Sequence, residues 1–261
     1  MFCDYHIHST CSGDGLSAMQ EQIQASLDKG VGKLCFTEHV DIGIVGDKFD
    51  TDLDLYARTF EEAKRAFPKL PLFMGLELGY VREDVPGLQA RCARLPLDFH
   101  LLSIHLVNGI DPFDVDIFFN NKSREQAAVE YLQAVLESVR EYPDYDAVAH
   151  IGYVFKFTGD RFPPLRYEDA PELMDEILKT IIQRGKALEL NTSRWNGQGM
   201  PGQDVFRRYK ELGGELVTLG SDSHRVNSVA NGFAQATELL KGLGFGYLAT
   251  YEKRRLVMEK L

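Results

Sequence analysis

The chain has 261 residues, of which 44% are hydrophobic, and its formal net charge at pH 7 is −10. A chain of this length and composition can bury a sizeable core as one α/β barrel domain or as two smaller domains. The negative charge argues against stable nucleic-acid binding through a basic surface, and no apolar run approaches the roughly 20 residues that span a bilayer.

Cleavage of a signal peptide would remove the stretch DYHIHSTCSGDG at residues 4 to 15, which is dense in polar groups. We therefore expect a cytoplasmic protein without a membrane segment. An anionic substrate would have to be attracted locally, for example by bound cations, because the whole chain is acidic.

Seven short apolar runs, each followed by a polar loop and then by a segment with helical spacing, succeed one another along the chain. In order they are MFCDYHIHS, KLCFTEH, LFMGLELGY, FHLLSIHLV, AVAHIGY, ALELNTS and ELVTLGSDSH. Ser17 is predicted to cap the first helix, and Pro171 suits the first turn of a later one. No linker divides the pattern. We predict one α/β domain over residues 1–261, a parallel barrel of seven β/α units.

Potential metal ligands lie at the carboxyl end of each predicted strand. From the first strand to the seventh they are His6 and His8, Glu38 and His39, Glu77, His105, His150, Glu189 and Asn191, and Asp222 and His224. In β/α barrels the side chains at this rim converge on the active site, whereas the opposite rim serves stability. His100, at the start of the fourth strand, falls outside the pattern and is interpreted as a structural residue.

Spacing and donor chemistry define the expected site further. Side chains two residues apart in a strand point the same way, so His6 and His8 are expected to bind one ion together, and Asp222 and His224 repeat this spacing. Imidazoles and carboxylates without a thiolate suit Mn²⁺, Fe²⁺ or Zn²⁺. So many ligands predict two to three divalent ions. Asp4 is expected either to orient a ligand imidazole or to make a strand-end hydrogen bond without functional weight.

Seven stretches in order along residues 4 to 224 are similar to the motifs of one protein family. They are DYHIHSTCSGDG, FTEHVD, GLELGY, SIH, AHIGY, LELNTS and GSDSH, and YEKRR near the end of the chain is also similar. On these motifs the sequence resembles the polymerase and histidinol phosphatase (PHP) superfamily, specifically its stand-alone histidinol-phosphate phosphatases. The resemblance implies a distorted (β/α)7 barrel with a trinuclear metal centre.

The resemblance also implies which residues bind each ion. For the first, second and third ion in turn, the implied ligands are His6, His8, Glu77 and Asp222; Glu77, His105 and His150; and Asp14, His39 and His224. Glu77 bridges two ions in this assignment. Catalysis is expected to depend most on Glu77, Asp222, His224 and His39.

A water that bridges two divalent ions loses a proton near neutral pH and becomes a hydroxide. Such a hydroxide attacks phosphorus in line while the ions neutralise the phosphoryl oxygens, so no covalent phospho-enzyme is needed. The resemblance implies hydrolysis of a small phosphorylated substrate, L-histidinol phosphate, in histidine biosynthesis. Arg194 and Arg161, in loops after the sixth and fifth strands, are predicted to bind its phosphate, and Lys156 is an alternative.

Three other functions stay open. A PHP-type phosphodiesterase or phosphatase acting on nucleotides or short oligonucleotides would use the same ligands. A metal-dependent amidohydrolase also begins with H-x-H on its first strand, but it usually takes its bridging ligand from a lysine on the fourth strand, where this chain has His105. A non-catalytic regulatory module is disfavoured because every ligand position is filled.

Overall fold

The structure is a computed structural model that describes residues 1–43 and 49–261. Seven parallel strands form one sheet in chain order. They are β1 (Phe2–Ile7), β2 (Val31–Asp41), β3 (Leu72–Gly79), β4 (Phe99–Ser103), β5 (Ala147–Val148), β6 (Ala187–Asn191) and β7 (Val217–Gly220). The amide of Asp222 donates to His6 O at 2.7 Å, and that of His8 donates to Ser223 O at 2.9 Å. These bonds join the segment after the last strand to the end of the first and nearly close the sheet, which confirms the predicted seven-stranded parallel barrel.

Helices follow the strands and pack their apolar faces against the sheet. They are α1 (Met19–Asp28), α2 (Leu53–Ala66), α3 (Val85–Cys92), α4 (Val115–Phe118), α5 (Arg124–Glu141), α6 (Pro171–Gln183), α7 (Gln203–Glu211) and α8 (Phe233–Gly242). In α6 the buried residues Met174, Ile177, Leu178 and Ile181 follow the i, i+3, i+4, i+7 spacing of a single helical face. No helix within the described ranges is long and apolar enough to cross a membrane.

The predicted helix ends were partly right. Pro171 occupies the first position of α6, where its missing N–H costs nothing. The prediction for Ser17 was wrong, because Ala18 is the residue that precedes α1. The Ser17 hydroxyl instead accepts a hydrogen bond of 3.3 Å from the amide of Val226, so it joins two loops at the carboxyl end of the barrel.

An antiparallel hairpin, β8 (Tyr247–Glu252) and β9 (Arg255–Lys260), lies beyond the seven predicted units. Its hydrophobic side chains extend a second core cluster, which includes Tyr5, Phe99 and Tyr251. The Tyr5 hydroxyl donates to Tyr251 O at 3.0 Å, and the Arg254 amide donates to Asp98 O at 2.9 Å. The hairpin therefore packs against the amino end of the barrel and leaves the carboxyl end for polar groups.

Candidate metal centre

Six of the seven histidines converge with Glu77 at the carboxyl end of the barrel. Glu77 is fully buried, and its two oxygens lie between 2.8 and 3.4 Å from nitrogen atoms of five of them. These five are His6, His8, His39, His105 and His150. The sixth, His224, stacks on His8 with ring centroids 4.2 Å apart. A single carboxylate thus lies at the centre of ligands that come from β1 and β2 and from the segments after β1, β4, β5 and β7.

Four groups of side chains bring three nitrogen or oxygen atoms within 4.8 Å of one another. They are His8, His39 and His224; His6, His8 and Asp222; His6, Glu77 and His150; and His39, Glu77 and His105. For each of the three predicted ions, at least two of the implied ligands belong to the same one of these four groups. Asp14, from the loop after β1, lies 3.0 Å from His224 Nε2 and 3.7 Å from His39 Nε2. The structure therefore brings all nine predicted ligands together, and their assignment to particular ions stays a prediction.

The imidazoles share an orientation that suits metal binding. In four of the six, the Nδ1 atom has a hydrogen-bond partner outside the carboxylates Glu77 and Asp14, and the Nε2 atom faces one of these two carboxylates. The Nδ1 partners are Glu189 Oε1 for His6 at 2.6 Å, Ser12 Oγ for His8 at 3.3 Å, Asp41 Oδ1 for His105 at 2.7 Å and the Asp222 carbonyl for His224 at 3.1 Å. Histidines that bind metals almost always donate the other ring N–H in this way, which leaves the Nε2 lone pair for the ion.

The buried charges also fit bound cations. Burial alone would raise the pKa of Glu77, but the positive charges of His6, His105 and His39 lower that pKa well below its usual value. Protons on imidazoles supply this positive charge, and divalent cations can supply it in their place. Asp14 Oδ1 and His224 Nε2 are buried atoms without an aligned hydrogen bond, and both side chains are predicted to bind the third ion. The donor set therefore fits the predicted metals.

The interpretation of Asp222 and His224 as a strand pair was wrong. β7 ends at Gly220, and Asp222 has a φ of 49°, which lies outside the strand region. The two side chains reach the site from the segment that follows β7. Asp222 Oδ1 lies 3.7 Å from the Nε2 atoms of both His6 and His8, so the residue is still placed for the first ion.

Asp4 does not contact an imidazole. Its carboxylate accepts hydrogen bonds from Ser221 N at 2.9 Å, from Ser221 Oγ at 2.6 Å and from His6 N at 3.3 Å. Of the two roles expected for Asp4, the strand-end hydrogen bond is therefore the one observed. It ties β1 to the segment after β7 and so fixes the backbone that carries His6.

The cationic side chains predicted to bind phosphate lie in different places. Lys156 Nζ is 2.5 Å from Asp222 Oδ2 and 5.5 Å from the centre of the Phe157 ring. The exposed Arg194 lies over the same ring at 5.1 Å. The Arg161 guanidinium instead packs on Phe119 and Phe162. Lys156 is thus the cation in contact with a ligand, and phosphate binding by the two arginines stays a prediction.

Two carboxylates have roles that the sequence analysis did not give them. Glu189, first considered a potential ligand, accepts from His6 Nδ1 and also from the amide of His150 at 2.7 Å. Asp41, which was not singled out, contacts His105 and His39. Asp41 lies two residues after His39 in β2, so the spacing that paired His6 with His8 could have identified it.

Comparison with known proteins places this centre in a family. The PHP domain family model matches residues 4–193. A histidinol-phosphatase from Lactococcus lactis is 29% identical over 260 residues, which cover 98% of this chain and 97% of that protein. A probable histidinol-phosphatase from Clostridium acetobutylicum is 30% identical over 245 residues, or 92% of each chain.

A solved structure agrees with these matches. The crystal structure of histidinol phosphate phosphatase from L. lactis, complexed with zinc, L-histidinol and phosphate, superposes with a TM-score of 0.88 and 29% identity. The superposition covers 98% of both chains. Because the family model also matches more than half of the sequence, including seven of the nine predicted ligands, the chain belongs to the PHP domain family.

Proposed function

We propose that this protein is a metal-dependent phosphomonoesterase that hydrolyses L-histidinol phosphate to L-histidinol and phosphate in histidine biosynthesis. The observation that carries the proposal is the likeness, over 98% of both chains, to a histidinol phosphate phosphatase complexed with zinc, L-histidinol and phosphate. The cluster of six histidines around Glu77 supports the same chemistry, because it offers imidazole and carboxylate ligands for two to three Mn, Fe or Zn ions.

Nine residues are proposed as the metal ligands: His6, His8, Asp14, His39, Glu77, His105, His150, Asp222 and His224. Bound divalent cations supply Lewis acidity, which lowers the pKa of water and neutralises charge on phosphoryl oxygens. Glu77 supplies the central negative charge of this set, and its burial excludes solvent that would weaken its electrostatic interactions. Asp222 is held in place by Lys156 and by Asn191 Nδ2, which donates to Oδ2 at 3.2 Å.

The phosphate is proposed to meet side-chain cations as well. Lys156 lies beside Asp222, and Arg194 lies over the Phe157 ring that Lys156 also approaches, so both are proposed to bind a phosphoryl group. Arg161, which packs on Phe119 and Phe162, is a further candidate. Serine hydroxyls near the ligands have other partners: Ser9 Oγ donates to Glu38 at 2.5 Å, and Ser223 Oγ donates to the Arg225 carbonyl at 2.7 Å. We therefore propose direct attack by water without a phosphoserine.

Phosphate release from a substrate panel tests the proposal. Protein loaded with zinc or manganese should hydrolyse L-histidinol phosphate with kcat/KM of about 10⁴ M⁻¹s⁻¹ or more. Other phosphomonoesters and the diester bis(p-nitrophenyl) phosphate should be roughly 10²-fold poorer, a difference of about 2.7 kcal/mol. A protein that ignores histidinol phosphate and cleaves the diester or short oligonucleotides would be the phosphodiesterase of the alternative interpretation.

Elemental analysis tests the metal centre separately from the substrate. Active protein should carry two to three equivalents of transition metal, because the ligands are sufficient for three sites. Removal of the metal by a chelator should abolish phosphate release, and added zinc or manganese should restore it. One equivalent or less in fully active protein would contradict a multinuclear centre.

We also propose one domain over residues 1–261, a cytoplasmic location and no stable nucleic-acid binding. The larger of the two core clusters contains residues from Ile7 to Leu248, which supports one domain, and the net charge of −10 supports the absence of nucleic-acid binding. One cooperative unfolding transition and no shift of labelled oligonucleotides at low salt are the expected results.

A further inference from the structure

Asp41 lies between two proposed ligand histidines that are assigned to different ions. Its Oδ1 is 2.7 Å from Nδ1 of His105, and its Oδ2 is 3.0 Å from Nδ1 of His39. The side chain is only 2% exposed, so water does not compete for these contacts. One buried carboxylate thus faces the outer nitrogen of both imidazoles.

The contact with His39 is close but not yet aligned as a hydrogen bond. Neither His39 Nδ1 nor Asp41 Oδ2 has a hydrogen-bond partner, although the two atoms are 3.0 Å apart. The other acceptor near His39 Nδ1 is Glu77 Oε2 at 3.1 Å. With the Glu77 oxygens facing cations, as proposed, Asp41 remains as the acceptor. Leaving the buried N–H unpaired would cost about 1 to 3 kcal/mol, so alignment with Asp41 is favoured.

We propose that Asp41 is a positioning residue that holds His39 and His105 in the same tautomer and so links the second ion to the third. With both protons on Nδ1, the Nε2 lone pair of His105 faces Glu77 Oε1 at 3.2 Å, and that of His39 faces Asp14 Oδ1 at 3.7 Å. The inference rests on the proposed metal ligands and does not depend on which phosphate ester is the substrate.

The neighbouring strand leaves space for this carboxylate. Asp41 in β2 pairs with Gly79 in β3, and a Cβ atom added at Gly79 would lie 1.7 Å from Asp41 Oδ1. Any other residue at position 79 would therefore displace the carboxylate from His105. This close approach makes Gly79→Ala a way to move Asp41 without removing its charge.

Metal binding by Asp41→Asn tests the inference. The amide oxygen can accept one Nδ1–H, but the NH₂ group facing the other imidazole forces that ring to rotate or to move its proton to Nε2. We expect the ion bound by that imidazole, the second or the third, to bind about 10- to 100-fold more weakly, whereas binding of the first ion changes by less than about 3-fold. Zinc retained during dialysis against buffers of defined free zinc measures each step.

Asp111→Asn is the matched control. Asp111 accepts hydrogen bonds from the Tyr153 hydroxyl at 3.1 Å and from the Phe113 amide at 2.8 Å, and the Tyr153 ring packs 4.8 Å from that of His105. This substitution removes a carboxylate close to the same histidine without removing an imidazole partner. Zinc binding by Asp111→Asn should stay within about 3-fold of that of the parent.

The outcomes separate this inference from the proposed ligands. If the parent itself binds one zinc ion or none, the multinuclear centre is wrong. If the parent binds two to three ions and Asp41→Asn binds them as tightly, Asp41 does not position the histidines. If Asp41→Asn and Asp111→Asn lose zinc affinity equally, the loss of negative charge alone explains the effect, and Asp41 is not a positioning residue. If Asp41→Asn does not fold, Gly79→Ala replaces it: weaker binding of the second ion supports the inference, and unchanged binding overturns it.

Discussion

The two ends of the barrel both bury charged side chains, but they neutralise them in different ways. At the amino end, Arg254 pairs with Asp146 and lies 3.0 Å from Asp144 Oδ1. At the carboxyl end, the carboxylates Glu77, Asp14 and Asp222 face imidazoles. Within residues 1–43 and 49–261, Lys156 is the one lysine or arginine paired with a proposed ligand carboxylate.

The difference separates a structural ion pair from a binding site. A guanidinium is permanently charged, so the amino end carries its own counter-charge at every pH the protein meets. His100 contacts Arg254 Nη1 at 2.6 Å, and burial together with this positive charge lowers the pKa of His100. Imidazoles can release their protons and bind metal ions instead. The negative charges at the carboxyl end are therefore neutralised by bound cations and not by a permanent positive side chain.

Substitution of the central carboxylate should have the largest effect. An amide in Glu77→Gln cannot neutralise two cations, so we expect kcat/KM for L-histidinol phosphate to fall by about 10³-fold or more, roughly 4 kcal/mol. Metal content should fall with it. Circular dichroism of the metal-free variant should remain close to that of the parent, which would show that the barrel still folds.

Glu83→Gln is the control for this substitution, since Glu83 is exposed six residues further along the chain. It should leave both activity and metal content unchanged. A Glu77→Gln protein with more than about a tenth of the parent activity, an effect below 1.4 kcal/mol, would show that Glu77 is not the bridging ligand.

Substitution at the amino end of the barrel should lower stability and leave activity nearly unchanged. Arg254→Ala leaves the carboxylate of Asp146 buried without its partner, which should lower the free energy of unfolding by about 3 kcal/mol. Activity and metal content should stay within about 2-fold of the parent at temperatures where the variant is folded. Urea unfolding and phosphate release measure the two quantities.

Arg255→Ala in the same hairpin is the control, because Arg255 is exposed. Its unfolding free energy should change by less than about 0.5 kcal/mol. If Arg254→Ala instead lost activity while keeping its stability, the amino end would take part in catalysis and the contrast between the two ends would be wrong.

The sequence predicted the catalytic end better than the amino end. Ligands such as His6 and His105 follow apolar runs, and the parallel arrangement of the strands brings all such positions to one rim. The position of Asp222 was right, but its conformation was not, because a residue with a φ of 49° after the strand leaves no periodic signal. Asp41 could have been found from its strand spacing with His39.

The terminal hairpin could not be predicted from its turn. Lys253 and Arg254 both have positive φ, at 49° and 63°, where two-residue hairpin turns usually have asparagine or glycine. Tertiary contacts favour this turn, since the Lys253 amide donates to Asp98 Oδ1 at 2.8 Å and Arg254 reaches Asp146. Pairings this distant along the chain are invisible to local patterns.

Arg194→Ala should have the smallest effect on this scale and tests whether the carboxyl end adds a side-chain cation to its metal ions. We expect full metal content and a loss of about 10²-fold in kcat/KM toward L-histidinol phosphate. A charge-assisted pair with a phosphoryl oxygen contributes about 1.5 to 3 kcal/mol, and more if it tightens in the transition state. Arg207→Ala, an exposed arginine on α7, should leave kcat/KM unchanged.

Arg194→Lys separates charge from geometry. An ammonium keeps the positive charge but loses the planar pair of donors, so only part of the activity should return. Complete rescue would mean that charge alone is needed at this position. If Arg194→Ala turns over histidinol phosphate as the parent does, Arg194 is a surface residue stacked on Phe157. Lys156, which already contacts Asp222, would then be the side-chain cation that remains beside the ions.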